Sequence, residues 1–357
     1  MKKLSRYIFR KCVFNTFLML TAFIVLFSIF NILGEIANVG KGSFTTASLF
    51  YYTFLLIPNY IYLLMPLAVL IGVMISMLGL VNYSEYAIIR TSGFSLKRIT
   101  VILLTFGITF SLITFLMGEI VAPRSNHYAQ VYKITKTRSV MSTQLRSGIW
   151  SKDGDNSFVN IKQVLPDNSI IGVNLFNYDN NLALLNYISA DHGNFNESKQ
   201  AWDLYDVTLY DYTSQNIQIK HLNEYLWKTS VVPSYFSVLV IAPEDMSAFG
   251  LIKYIHHLKE NNQSTQRYQI AFWSKLLYPI SCISMALIAL AFIPNNRRNI
   301  NLGTKLFAGI LIGVAFFFTT RMISFMALLF NWNAILSALL PTAILFTLGW
   351  YFVIRKE

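Results

Sequence analysis

The pattern of apolar and polar positions divides the chain into three zones. Apolar runs cover Cys12–Leu33, Ile57–Val81 and Ile99–Val121 in the first third. Three more cover Ile270–Ile293, Leu302–Leu328 and Ala334–Ile354 at the end. Each is about 20 residues or longer, enough for a helix across a ~30 Å hydrocarbon layer. The pattern predicts six membrane spans, three before and three after a polar middle. Pro58, Pro66, Pro279 and Pro341 lie in or beside the runs. Membrane helices tolerate proline where neighbours re-satisfy the freed backbone groups. The first run follows a basic leader, but it is too long for a cleaved signal peptide and ends in NILGEI without a small-x-small site.

From about Arg124 to Arg267 the period changes to two. Alternating runs occur at Gly148–Lys152, Phe158–Val164, Ile170–Phe176, Ala183–Ser189, Ala201–Tyr210, Ile217–His221, Tyr225–Ser230 and Phe236–Ile241. Turn sequences such as DGDN at 153–156, PDN at 166–168 and YDNN at 178–181 separate them. This spacing predicts an antiparallel sandwich or barrel. Leu251, Tyr254, Ile255 and Leu258 then recur at helical spacing, so an amphipathic helix leads back to the membrane.

Composition agrees with this partition. The chain has 357 residues, 54% hydrophobic and only 13% charged, against about 25% charged in soluble domains. The net charge of +12 is unevenly placed. With a cytoplasmic N-terminus, the inside segments are 1–11, 82–98, 294–305 and 355–357. They hold thirteen of the 29 basic residues but only two of the 17 acidic ones, Glu85 and Glu357. Nearly all the excess positive charge thus lies on one side, as the positive-inside rule requires. Membrane topology accounts for the basicity, and nucleic acid is not implied. Both termini are expected in the cytoplasm and the β domain outside.

Catalytic and metal chemistry find little support. Cys12 and Cys282 lie far apart within apolar runs, without a CxxC or Cys/His cluster. The five histidines, His127, His192, His221, His256 and His257, lack metal or triad spacing. GEIANVGKGS at 34–43 imitates a phosphate loop, but five residues separate Gly34 from Gly40 and Gly42 stands where Ser or Thr should follow the lysine. No nucleotide site is expected in this chain.

Two groups of residues remain as candidates. The polar bridge Asn82–Arg98, NYSEYAIIRTSGFSLKR, reads as a single short helix between spans two and three. Glu85 is the only acid in an internal cytoplasmic loop. It is either a solvated carboxylate paired to Arg90 or Lys97, or a docking point for a cationic groove. Tyr83, Tyr86, Ile88 and Ile89 give the helix an apolar side, and Gly93 can stop it. The second group is charged residues at the spans' outer ends: Glu35, Lys41, Glu119, Arg124, Lys275 and Arg321. A charge in a span costs at least ~2.5 kcal/mol unless paired or hydrated. Glu119 and Lys275 are expected to pair. Lys41, Arg124 and Arg321 are candidates to meet the head group of an anionic amphiphile, with internal pairing or snorkelling as the alternative. Phe317, Phe318 and Phe30 are candidate lining for its acyl chains, although aromatic residues in spans commonly serve ordinary packing.

The 3+3 arrangement, the inserted β region, and the stretches SEYAIIRTSGFS at 84–95, MGEIVAP at 117–123, GIWSKDGDNSFVNI at 148–161 and RYQIAFWSKLLYPIS at 267–281 together resemble the LptF/LptG lipopolysaccharide-export permeases. GIWSKDG and FWSK are more like the LptG members. The likeness covers essentially the whole chain. It implies an α+β membrane protein with an inserted periplasmic antiparallel β-jellyroll, residing in the bacterial inner membrane. The implied boundaries are 1–123 for spans one to three, with a coupling helix at about 82–95, 124–243 for the jellyroll, 244–267 for the connecting helix and 268–357 for spans four to six. The implied activity is extraction of lipopolysaccharide and its passage through the β domain toward the outer membrane. The implied partners are an LptF-like permease subunit, an LptB-like ATPase dimer that holds the ATP and magnesium, an LptC-like anchored protein and an LptA-like periplasmic bridge. Glu85, flanked by Tyr83, Tyr86 and Arg90, would lie on the coupling helix that enters the ATPase, and spans one and five would line the lipid gate. Family members often carry paired lysines after span one, where this chain has Ala37 and Asn38. From the residues alone, a non-transporting membrane sensor or scaffold with a ligand-binding β domain is the rival reading. It requires an internal output module, and the internal loops are short for one.

Overall fold

The computed structural model describes residues 2–137, 148–153, 156–164, 169–179, 183–213, 216–229, 231–233, 242–260, 263–293 and 302–356. Among the described residues, six helical stretches are long and apolar enough to cross a membrane, so the chain is a multi-pass membrane protein. Spans one, three, four and five pack against the second, α2 (Thr46–Asn82), whose side chains from Leu64 to Val81 are buried almost throughout. A helix apolar on all sides belongs in the centre of a bundle. Against it lies α1 (Lys2–Glu35), which buries Ile8, Cys12, Thr16 and Leu20 at four-residue intervals, a single narrow stripe. Gly72 lets the two helices close: a Cβ there would stand 2.3 Å from Thr16 Oγ1. One turn on, Asn15 donates to Ser76 Oγ at 2.8 Å. The opposite face of α1, including Phe14, Phe17, Ile29, Phe30 and Leu33, is exposed.

The bridge after α2 is shorter than its sequence suggests. Its helix α3 is only Glu85–Thr91, and α4 begins at Leu96. Ser84 turns the chain with φ +62°, and Gly93 follows with φ +85°. Span three differs in the opposite sense. The helix α4 (Leu96–Leu116) passes through a π turn at Met117–Val121 into α5 (Ala122–Thr137). Residues 124–137, expected with the β domain, are therefore helical. Pro123 does not end the helix, because a π turn absorbs the hydrogen bond that proline removes. At 1.5 Å per residue the 42-residue stretch is about 60 Å long, roughly twice the hydrocarbon thickness.

Six strands follow: β1 (Ile149–Lys152), β2 (Ser157–Val164), β3 (Ile170–Tyr178), β4 (Leu184–Asn196), β5 (Ala201–Thr213) and β6 (Asn216–Trp227). They form one antiparallel sheet in chain order. The chain is thus an α+β membrane protein with an inserted antiparallel sheet. The expected strand at 236–241 lies outside the described residues. A crease crosses the sheet. The direct pairings of Lys162 with Gly172, Gly172 with Asp191, Asp191 with Asp206, and Asp206 with Asn223 are all missing, and each ladder resumes in the same register beyond them. Gly172 and Asp206 take left-handed backbone there. Ile161, Val173, Ala190 and Val207 form one buried row; Val164, Ile170 and Leu204, with Gly193, form the next. The two rows are three residues apart along each of β2 to β5 instead of two. One extra residue per strand bends the sheet along this line, as at the corners where strands pass between packed layers of β folds. Trp202 fills the inner side and donates to Val231 C=O at 2.7 Å.

Pro243–Asp245 and α6 (Ala248–Glu260) form a strap back to the membrane. Span four is α7 (Gln266–Leu277), a 3-10 turn at Tyr278–Ile280 with Pro279, and α8 (Ser281–Ala291). Spans five and six are α9 (Leu302–Leu329) and α10 (Ala334–Lys356). The end of the bundle that carries Glu85 lies opposite the end that carries the sheet.

Candidate functional site

At the first end, α3 packs on the bundle through buried Ile89 and half-buried Tyr86. Tyr83 and Ile88 stay exposed. The left-handed turn at Ser84 points Glu85 toward α1. Tyr7 Oη donates to Glu85 Oε2 at 2.7 Å, and Lys11 Nζ lies 3.3 Å from Oε1. The carboxylate remains one-third exposed, with a relative accessibility of 33%. Arg90 points to its own turn and donates to Phe94 C=O at 3.4 Å. The two side chains on Glu85 thus come from the basic leader, 78 and 74 residues earlier in sequence. The sequence offered Arg90 or Lys97 as local partners, and nothing local pointed to α1.

At the other end, a cavity of about 470 Å³ opens between α2, α7 and α9 beneath the strap. Tyr62, Tyr278, Phe317 and Phe325 supply apolar wall. Arg267, Lys275 and Arg321 supply positive charge, while Glu244 and Asp245 of the strap supply negative charge. Tyr278 Oη donates to Leu63 C=O at 2.5 Å, in the part of α2 that Pro66 interrupts. Arg321 stands over the Phe317 ring at 5.7 Å and faces Glu244 at 3.9 Å, both half-exposed. Burial raises the Asp245 carboxyl above the ordinary range; hydrogen bonds from Asn126 and Asn59 and the charge of Lys275 oppose this, and Glu244 adds to it.

Glu119 and Lys275 do not form the direct pair expected of them. Glu119 accepts from the backbone N–H of Ala248 at 2.7 Å and of Phe249 at 3.2 Å, which caps α6. Lys275 donates to the carbonyl of Met246 and lies over the Tyr62 ring at 5.7 Å. The two charges grip adjacent backbone of one strap. The missing partner was the chain between them, which sequence spacing cannot display. The π turn that carries Glu119 also presents Gly118 to Tyr62, where a Cβ would meet the ring at 2.4 Å.

Among the three head-group candidates, Arg321 alone lines this cavity. Lys41 donates to Asn38 Oδ1 at 2.7 Å, and Asn38 in turn donates to Glu35 at 2.7 Å. Lys133 meets Glu35 at 2.6 Å, so this cluster ties the top of α1 to α5. Arg124 is exposed on α5, away from the cavity. Phe317 lines it, while Phe318 and Phe30 face outward from α9 and α1. Arg267, Tyr62 and Tyr278 were not anticipated. The RYQIAFWSKLLYPIS stretch holds two of these three, and the 3.6 period from Arg267 through Ser274 and Tyr278 could have put them on one face.

Spans packed against a buried second helix, interrupted by a creased sheet that a charged strap leads back from, make this a polytopic membrane protein with an inserted sheet. The chain belongs to the family described as the lipopolysaccharide export system permease LptF/LptG, whose profile matches residues 6–355. Its relatives include the lipopolysaccharide export system permease protein LptG of Escherichia coli K12, 30% identical over 358 residues, covering 99% of this chain and 98% of that protein. The LptG of Haemophilus influenzae is 27% identical over 355 residues, covering 99% of each.

Proposed function

We infer that this chain is the permease subunit of an ABC-type exporter that takes lipopolysaccharide from the bacterial inner membrane and passes it along its β domain. The full-length family match carries this reading. The cavity directly beneath the strap supports it, since a phosphate-bearing head group suits Arg321 and Arg267. About 470 Å³ is the size of a pocket for a small molecule. It takes a head-group portion, not a whole multi-chain lipid. The remaining surface comes from the exposed apolar faces of α1 and α9 and from a second, LptF-like permease subunit facing them. An LptB-like ATPase dimer docks on α3 and supplies the ATP and magnesium chemistry, with Glu85 as its anchor. LptC-like and LptA-like proteins receive the lipid beyond the sheet. The Glu85 end faces the cytoplasm, with both termini, and the sheet faces the periplasm. The chain itself does no covalent chemistry.

The test is ATP-dependent transfer of lipopolysaccharide from proteoliposomes holding the whole complex to a soluble LptA-like acceptor. Arg321→Ala slows transfer about tenfold, as loss of a charged hydrogen bond implies, whereas Lys41→Ala changes it less than about twofold. Intact lipid binding with no ATP-dependent transfer by the unaltered complex would return the sensor or scaffold reading.

A further inference from the structure

The Glu85 carboxylate is held in two unequal ways. Tyr7 Oη donates at 2.7 Å, an ordinary short hydroxyl–carboxylate bond. Lys11 Nζ straddles both oxygens at 3.3 Å and 3.4 Å, longer than the ~2.7–2.9 Å of a tight ammonium–carboxylate contact. Lys11 also keeps Tyr7 Oη as a second partner at 3.3 Å and lies over the Tyr7 ring at 5.4 Å. Its side chain is 25% exposed and that of Glu85 33%. A carboxylate has about four acceptor positions, so Glu85 can receive another cation from solvent.

What lies just inward makes this contact consequential. Immediately beyond Lys11, α1 is fixed to α2 by the Asn15–Ser76 hydrogen bond and by the close approach of Thr16 to Gly72. The turns before that point have Glu85 as a side-chain tie to α3, while Ile8 and Cys12 pack into the shared core. A change of partner at Glu85 is therefore felt first by the leading turns of α1.

We propose that Tyr7 is a positioning residue for Glu85 and that Lys11 is its exchangeable counter-ion. A cation of the docked ATPase takes the place of Lys11 on the carboxylate while Tyr7 keeps its bond. Docking thereby frees Lys11 from α3, leaves Tyr7 as the remaining side-chain tie to Glu85, and couples the ATPase to span one as well as to spans two and three. This rests on the reading of Glu85 as the docking carboxylate.

The test uses the complete complex reconstituted with the LptB-like ATPase of the same genome. ATPase affinity and lipid transferred per ATP hydrolysed are measured for Tyr7→Phe, Lys11→Met, Lys11→Arg and Glu85→Gln. Removing the resident competitor in Lys11→Met tightens ATPase affinity about two- to fivefold, the scale of a partly exposed ion pair, and lowers lipid per ATP. Lys11→Arg restores both. Tyr7→Phe weakens affinity by a similar factor, and adds nothing once Glu85 is Gln. If Glu85→Gln impairs docking while Tyr7→Phe and Lys11→Met match the unaltered complex, the clasp is wrong and the docking reading stands. Weakened docking in Lys11→Met overturns the exchange. Unaltered docking in Glu85→Gln overturns both.

Discussion

The first span is tied at both ends by a lysine and a glutamate, and the two ties differ. At the sheet end, Lys133 meets Glu35 at 2.6 Å, with side chains 24% and 17% exposed, and Asn38 completes the carboxylate. At the other end Lys11 meets Glu85 at 3.3 Å, with the glutamate twice as exposed as Glu35. The strap extends the contrast. There Glu119 and Lys275 grip backbone that no side-chain movement can withdraw. The sheet end holds its strap through backbone-directed charges, beside the half-exposed Arg321–Glu244 pair, whereas the Glu85 end relies on part-exposed side-chain contacts. A charge fastened to backbone away from water is costly to release. A charge fastened to another side chain in water is cheap to exchange. The sheet end is thus a fixture, and the Glu85 end is suited to changing partners.

The strongest way to break this contrast is at Glu119. Glu119→Ala uncaps Ala248 and Phe249, and should cost about 3 kcal/mol from two hydrogen bonds to a charged acceptor. Thermal unfolding in detergent reads the loss, and faster hydrogen exchange across 246–260 localises it. A loss under about 1 kcal/mol would mean that the strap is held by packing alone.

Next comes the crease, the other fixture at the sheet end. Gly172 has φ +65°, and a Cβ there would meet the Lys162 stem at 2.6 Å. Gly172→Val should cost about 2–3 kcal/mol, combining left-handed strain with the steric conflict. Gly172→Ala should cost less, and the order of the two in unfolding temperature checks the argument.

Smaller still is the tie at Glu35. Glu35→Gln keeps the side-chain shape and should cost about 1 kcal/mol, since the pair is mostly buried but solvent reaches both partners. The equivalent change at Glu85 should cost under about 1 kcal/mol in the isolated chain. Its effect should appear in ATPase docking instead. Equal losses of stability at Glu35 and Glu85 would erase the difference between the ends.

The finest probe is pH. Burial raises Asp245, so the folded chain holds that proton more tightly than the unfolded chain does. Between the ordinary and the raised value, stability must therefore fall as pH rises. Asp245→Asn should flatten that part of a pH–unfolding curve, and a curve identical to the unaltered chain would place the carboxylate in water.

How much of this was legible beforehand depended on period. The six apolar runs translate directly into helices, because backbone in lipid must satisfy its own hydrogen bonds. The strands were legible only while alternation held. Tyr225 and Ile217 looked like parts of two strands, yet both belong to β6, which the crease crosses at Asn223. For the same reason β4 was read to Ser189 but runs on to Asn196 beyond the crease at Asp191. A period-two reading stops wherever an extra residue enters every strand at once. Span three was ended at Val121 because the chain turns polar from Arg124, although the helix runs on through the π turn to Thr137.

The candidate sites were legible as residue types and not as partnerships. Glu85 stood out because it is an acid on the basic side of the charge count, and Arg321 because it is a charge within an apolar run. Neither observation reaches the groups that surround them.

The sequence by itself determined six spanning helices, an inserted antiparallel sheet, a basic side and the family. Length, period and charge act locally along the chain, and the membrane punishes departures from them. Only the tertiary structure decided that Tyr7 and Lys11 hold Glu85, that Glu119 and Lys275 share a strap, and that Arg321 meets Glu244 over a cavity. Those pairings join residues separated by 29 to 130 positions or by whole domains. They exist because packing at Gly72, Gly118 and the π turn brings backbones close enough for short side chains to reach.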